Sequence, residues 1–224
     1  MKKFLIGTTL LLLPSFLGAT AEETSRYYLS IGGGIALPSD IDGDSNLGGT
    51  NYDHKFSTNL SDNYAVGLGY KLKDWRLEFN YSTGKVQTDK ITSNTRSSMV
   101  PNLQRDVNSY MAYGYKDFNG ESKVTPYFGA GIGIATISTE DQKISVVNAL
   151  HYTHAGDDAA VLSYGLKAGI DYEIVENTSI FTEGTYQNFG SYKAEKSGAR
   201  TVSYDASSQF TILTGIKFLS LIHI

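Results

Sequence analysis

Between Leu162 and Glu173 the chain reads Leu162-Ser163-Tyr164-Gly165-Leu166-Lys167-Ala168-Gly169-Ile170-Asp171-Tyr172-Glu173. Leu162, Tyr164, Leu166, Ala168, Ile170 and Tyr172 alternate with serine, glycine and full charges. A period of two puts those sets on opposite faces of an extended strand. In a soluble barrel the apolar face would turn inward to form the core. In lipid it turns outward, and the polar face fills or lines the interior.

The same alternation recurs in Tyr64-x-Val66-x-Leu68-x-Tyr70, Leu77-x-Phe79-x-Tyr81, Phe128-x-Ala130-x-Ile132-x-Ile134 and Phe210-x-Ile212-x-Thr214-x-Ile216-x-Phe218. Three less regular segments, Tyr27–Leu37, Leu103–Lys116 and Thr178–Tyr192, bring the strand count to eight. The connections alternate strictly in length. Lys73-Asp74, Asp117–Lys123 and Val175-Glu176-Asn177 are short, whereas Pro38–Asp62, Gln87–Asn102, Asp141–Asp158 and Lys193–Ser203 are long. A soluble sandwich has no reason to sort loop length by parity. A barrel in an outer membrane does, because its periplasmic turns are short and its extracellular loops long. The pattern predicts an all-β fold: an eight-stranded antiparallel up-and-down transmembrane β-barrel, closed so that no backbone edge meets hydrocarbon.

The ends read differently from the middle. Lys2 and Lys3 precede an apolar run from Phe4 to Leu17, and Ala19-Thr20-Ala21 supplies a small-x-small pattern. Residues 1–21 are therefore expected to be a secretory signal peptide. The barrel domain is assigned to residues 22–218. Residues 219–224, Leu219-Ser220-Leu221-Ile222-His223-Ile224, match one translated frame of a widely used sequencing adapter and are expected to be a non-native tail. After residue 21 no apolar run reaches the roughly 20 residues that a transmembrane helix needs. The chain has no Cys, which excludes disulfides and a lipidated cysteine, and its 16 Tyr and 23 Gly suit curved strands at membrane interfaces. A formal charge of −4, or −6 without Lys2 and Lys3, argues against nucleic acid as a partner.

Val124-Thr125-Pro126-Tyr127-Phe128-Gly129-Ala130-Gly131-Ile132-Gly133 resembles the fifth strand of small outer-membrane barrels, the group of opacity-like, OmpA-like and surface-antigen proteins. Ser163–Tyr172 is similar to the sixth strand of that group, and Gly215-Ile216-Lys217-Phe218 to the start of its closing strand. The resemblance implies an outer-membrane location, lipid surroundings and insertion by the barrel assembly machinery. It is specific for fold and weak for activity.

Charges within strands are the candidate functional residues. Arg76, Glu78, Lys167, Asp171, Glu173, Glu183 and Lys217 are expected inside the lumen, as a salt-bridged plug or a gated ion path. Tyr70, Trp75, Tyr172, Phe210 and Phe218 are expected in aromatic girdles at the membrane boundaries.

Other motifs carry less. Asp40-Ile41-Asp42-Gly43-Asp44 begins like a calcium loop, but Ser45 and Asn51 stand where glycine and glutamate are required. His151, His154, Asp157 and Asp158 lack a frame for a metal, and no metal or cofactor is expected. The triplet Gly32-Gly33-Gly34 and the series Gly129-x-Gly131-x-Gly133 open no helix, so close packing explains them better than phosphate binding. His54, His151 and His154 fall in outer loops, and no serine–histidine–acid set can be placed on strands. The leading expectation is a non-enzymatic surface protein whose loops serve adhesion or partner binding. A narrow porin is the alternative. A lipid-modifying enzyme or a soluble periplasmic barrel is less favoured.

Overall fold

The computed structural model describes residues 26–47, 50–93, 97–120, 122–139, 142–145, 151–154, 158–194 and 202–219. The expected signal peptide and residues 220–224 of the expected tail lie outside them. Every regular element described is a strand: β1 (Arg26–Pro38), β2 (Ile41–Leu47), β3 (Thr50–Thr58), β4 (Ser61–Leu72), β5 (Trp75–Ser93), β6 (Ser97–Asp117), β7 (Val124–Thr139), β8 (Gln142–Ser145), β9 (His151–His154), β10 (Asp158–Val175), β11 (Thr178–Phe189), β12 (Tyr192–Ala194), β13 (Val202–Tyr204) and β14 (Ser207–Leu219).

Eight of these close a ring. Antiparallel pairing runs β1–β4–β5–β6–β7–β10–β11–β14 and returns from β14 to β1. The closing pair extends from Tyr28↔Leu219 to Pro38↔Gln209, so Leu219, assigned to the tail from sequence, is a paired residue of the last strand. Two of the turns at one end are as tight as the sequence implies. Lys73 (φ 53°) and Asn177 (φ 65°) take the left-handed conformation that joins strands of right-handed twist. Asparagine tolerates that conformation through its short polar side chain; a lysine there is strained.

Most of the described residues of the long connections are in strands. β2 and β3 form a hairpin that continues the barrel wall by pairing β3 with the outer end of β5. β13 adds to β2, and β12 to β13. The stretch read from sequence as the loop Gln87–Asn102 is mostly strand, because β5 runs to Ser93 and β6 starts at Ser97. Val86, Thr88, Ile91 and Thr92 supply the β-branched residues that carry the hairpin past the ring.

The two faces separate as alternation requires. On β10, Leu162, Tyr164, Leu166 and Ile170 point outward, whereas Ser163 and Lys167 are buried inside. The interior also holds a column of aromatic rings: Tyr113 packs tilted on Tyr115, and Tyr115 edge-to-face on Tyr127, beside Met111. Tyr113 and Tyr115 lie directly opposite Gly131 and Gly129 on β7. A Cβ at Gly129 would overlap the Tyr115 ring; one at Gly131 would overlap the Tyr113 ring and come within 2.6 Å of the Ala112 carbonyl oxygen. The alternate glycines are the space into which the tyrosines fold. Gly131→Val is accordingly expected to destabilise the barrel by about 1–3 kcal/mol through overpacking. Urea titration of the compact, heat-modifiable band on unboiled gels measures the loss.

Candidate functional site: the lumen and its two mouths

Inside the ring, charges from six strands meet. Arg76 Nε donates to Asp117 Oδ1 at 2.8 Å, and Arg76 Nη1 lies 3.4 Å from Asp171 Oδ2. Lys217 Nζ donates to both oxygens of Asp171 at 2.7 Å, and Lys71 Nζ sits 3.0 Å from Asp117 Oδ2. Farther along the lumen Lys167 Nζ pairs with Glu183 Oε1 at 2.8 Å. Glu78 accepts from the Tyr115 hydroxyl at 3.0 Å, Asn80 Nδ2 at 3.1 Å and Ser30 Oγ at 3.3 Å.

Aromatic faces fill what the ion pairs leave. The Arg76 guanidinium carbon lies 4.4 Å from the Tyr127 ring centre and 4.8 Å from that of Tyr115, while Lys167 Nζ lies 4.3 Å from that of Tyr113. Tyr127 also donates its hydroxyl to Glu183 Oε2 at 3.1 Å. The cations Lys71, Arg76, Lys167 and Lys217 match the acids Glu78, Asp117, Asp171 and Glu183 in number. A low-dielectric interior tolerates charge only when it is paired and hydrogen-bonded, and this set neutralises itself. Two cavities among these side chains measure about 20 and 10 Å³. Each has room for about one water.

The two mouths differ. At the short-turn end a cavity of about 370 Å³ opens below Arg76, with Arg26, Tyr28, Lys123 and Asp171 in its wall. In the turns beside it, Lys116 and Asn119 donate to Asp74 and hold its carboxyl below the usual carboxylate range.

The opposite mouth is covered. Phe56 of β3 and Tyr204 of β13 meet at 5.3 Å and both pack against the Arg105 guanidinium, with ring centres 5.0 and 4.8 Å from its carbon. Tyr192 stacks on Tyr204 at 4.7 Å. Burial pushes the Tyr192 hydroxyl up to about 12. The folded cap therefore favours neutral Tyr192. Its contribution is complete below the ordinary tyrosine value near 10 and is lost as pH rises through about 12. Protease protection of the outer hairpins is expected to fall between those limits while the heat-modifiable band persists.

The outer-membrane protein β-barrel domain model matches residues 8–218, nearly the whole chain. The chain belongs to this outer-membrane β-barrel family. The outer membrane protein PagN of Salmonella typhimurium is 28% identical over 104 residues, which are 45% of this chain and 43% of that one. The match thus spans less than half the length of that curated relative. Among solved structures, Neisserial surface protein A covers 88% of this chain and 99% of its own, at 16% identity and a TM-score of 0.53. OprG of Pseudomonas aeruginosa covers 88% and 97%, at 14% identity and a TM-score of 0.58. The outer membrane protease OmpT of Escherichia coli covers 90% and 99%, at 11% identity and a TM-score of 0.52. At these identities the likeness is one of fold.

As a member of this family the barrel sits in the cell outer membrane, with its outward apolar surface against lipid. Of the charges assigned to the lumen from sequence, Arg76, Glu78, Lys167, Glu183 and Lys217 are buried inside it, and Asp171 is half-buried at its lower end. Glu173 is exposed and lines the cavity at the short-turn mouth, two residues past Asp171 where β10 leaves the ring. Tyr70, Trp75, Tyr172 and Phe218 face outward near the short-turn end, and Phe210 faces outward near the other. Tyr64, Tyr164 and Tyr186 also face outward toward the end of Phe210.

Several network members were not singled out from sequence. Asp117 opens the connection expected over Asp117–Lys123, yet it shares parity with Met111, Tyr113 and Tyr115 and is fully buried against Arg76. Continuing the strand's alternation one step would have found it. Lys71 and Arg105 follow the same rule less visibly. Around the aspartates of the first outer hairpin, Asp40 pairs with Lys55 at 3.2 Å, and Asp44 lies opposite Asp53. Among the described residues no group of three or more histidines or acids could hold a metal ion.

Proposed function

We propose that this outer-membrane barrel is a non-enzymatic surface protein that engages an extracellular partner through its folded outer hairpins. The observation that carries the reading is the filled lumen. The charges of its inner network are matched in number, the two small cavities among them have room for about one water each, and its outer mouth lies beneath Phe56, Arg105 and Tyr204. What such a barrel offers the exterior is surface, and β2, β3 and the outer ends of β5 and β6 give it a frame of paired strands. Rigidly held connecting segments are the usual contact elements of such scaffolds.

Catalysis has little support here. His54 is buried beside Phe56 beneath the cap, and a hydrolytic base must reach a substrate. The likeness to OmpT is one of fold, and a fold does not transfer an activity. This reading includes cleavage after Ala21 and insertion by the barrel assembly machinery, in keeping with a membrane-spanning barrel.

A narrow channel is the second reading, favoured by the polar lumen and by the 370 Å³ mouth at one end. Planar-bilayer recordings on refolded protein that shows a heat-modifiable band separate the two. Silence is expected; steady unitary steps would make the protein a small porin. For the surface reading, cells expressing a variant with residues 41–58 replaced by a two-residue turn are expected to lose adherence at unchanged outer-membrane abundance. Unchanged adherence would remove the hairpin from the function.

A further inference from the structure

We propose that the cavity at the periplasmic, short-turn mouth is a binding site for a phosphate group. Two buried donors at its inner end have no acceptor. Arg76 uses Nε on Asp117 and Nη1 on Asp171, while Nη2 has no hydrogen-bond partner. Tyr28 is buried to 2% exposure, and its hydroxyl is also unpartnered. Both residues line the same cavity of about 370 Å³.

The neighbouring carboxylates are already committed. Asp117 holds Arg76 and Lys71, and Asp171 holds Lys217 and Arg76. Buried donors left in this state call for an acceptor from outside.

The rim selects its charge. The lumen network balances itself, so the mouth's own residues set the local field. Arg26, Lys73 and Lys123 stand there against Glu173 and Glu176. Arg26 donates to the neutral side chain of Asn177 at 2.7 Å, and neither Arg26 nor Lys123 has a carboxylate partner among the described residues. Donors converge from the inner end and from the rim. A tetrahedral phosphate offers oxygens in both directions, whereas a carboxylate offers two in one plane. The group can come from free phosphate in the periplasm or from the headgroup of an inner-leaflet phospholipid.

The test uses the refolded full barrel in a maltoside detergent, which carries no phosphate. Side-chain nitrogen signals of Arg76 and Lys217 are followed by NMR during titration with inorganic phosphate, glycerol 3-phosphate, acetate or chloride. Saturable shifts with a phosphate compound are expected, at least about tenfold weaker in Arg26→Gln/Lys123→Gln, as loss of a charge-assisted contact implies. Lys85→Gln, on the outer part of β5, is expected to bind as the parent does. Glycerol 3-phosphate binding as tightly as phosphate identifies the lipid source, and preference for inorganic phosphate the free one. Absence of saturation, equal shifts with chloride or acetate, or parental affinity in the double variant would overturn the site. If the double variant does not refold, Lys123→Gln alone, in an exposed turn, repeats the comparison.

Discussion

Replacing Lys167 with methionine is expected to destabilise the refolded barrel by about 3–5 kcal/mol, and adding Glu183→Gln to restore most of that loss. Lys167 and Glu183 are 4% and 5% exposed and meet at 2.8 Å inside a ring whose outer wall faces lipid. Methionine keeps the length of the lysine stem and removes its charge. Glu183 then retains only neutral donors, the Tyr127 hydroxyl at 3.1 Å and the Thr185 hydroxyl at 3.4 Å. A carboxylate left so deep in low dielectric without a cation either stays charged at high cost or takes up a proton. Glutamine in its place can still accept from Tyr127, and the lumen returns to matched charge. Denaturant titrations of parent, both single variants and the double variant form the thermodynamic cycle. A single-variant loss below about 1 kcal/mol would mean that water screens the pair as it does at a surface. The lumen would then be a wet path, and the channel reading would gain at the expense of the plug.

Alternation and loop parity carried the architecture because both are properties of the chain in one dimension. Leu162 to Glu173 shows two faces without reference to any neighbour, and the eight-strand ring follows from counting such segments. What alternation did not reveal depends on which strand stands beside which. Tyr113 and Tyr115 look like lipid-facing aromatics until β6 is set against Gly131 and Gly129 of β7, where the missing side chains make room for them.

Arg105 lies in a segment whose pattern is weak. Its two ring partners come from β3 and β13, about 50 and 100 residues away in the chain, a pairing that no local rule anticipates. Glu173 illustrates the converse. Its parity on β10 matches Lys167 and Asp171, but parity says nothing of height, and at Glu173 the strand has reached the mouth.

Leu68→Arg is expected to cost about 2–4 kcal/mol in vesicles, as arginine does on the lipid face near the bilayer midplane. Leu68 faces outward at 60% exposure, paired with Leu29 on one side and Phe79 on the other. Tyr64 and Tyr70 flank it along β4 on the same outward face, so its depth lies between the aromatic residues of the two ends. Were this surface in water, a residue so exposed could become arginine for no more than about 0.5 kcal/mol. The size of the effect therefore reports the solvent around the strand. The same substitution at Leu72, also outward but adjoining the Lys73-Asp74 turn, is expected to cost about 0–1 kcal/mol, because the guanidinium reaches the interface there. Reversible guanidinium unfolding in phospholipid vesicles measures both. Equal small losses at the two sites would place Leu68 near the interface and shift the apolar band toward the outer hairpins. Equal large losses would bring the Lys73-Asp74 turn below the headgroups, where its charges could not remain solvated.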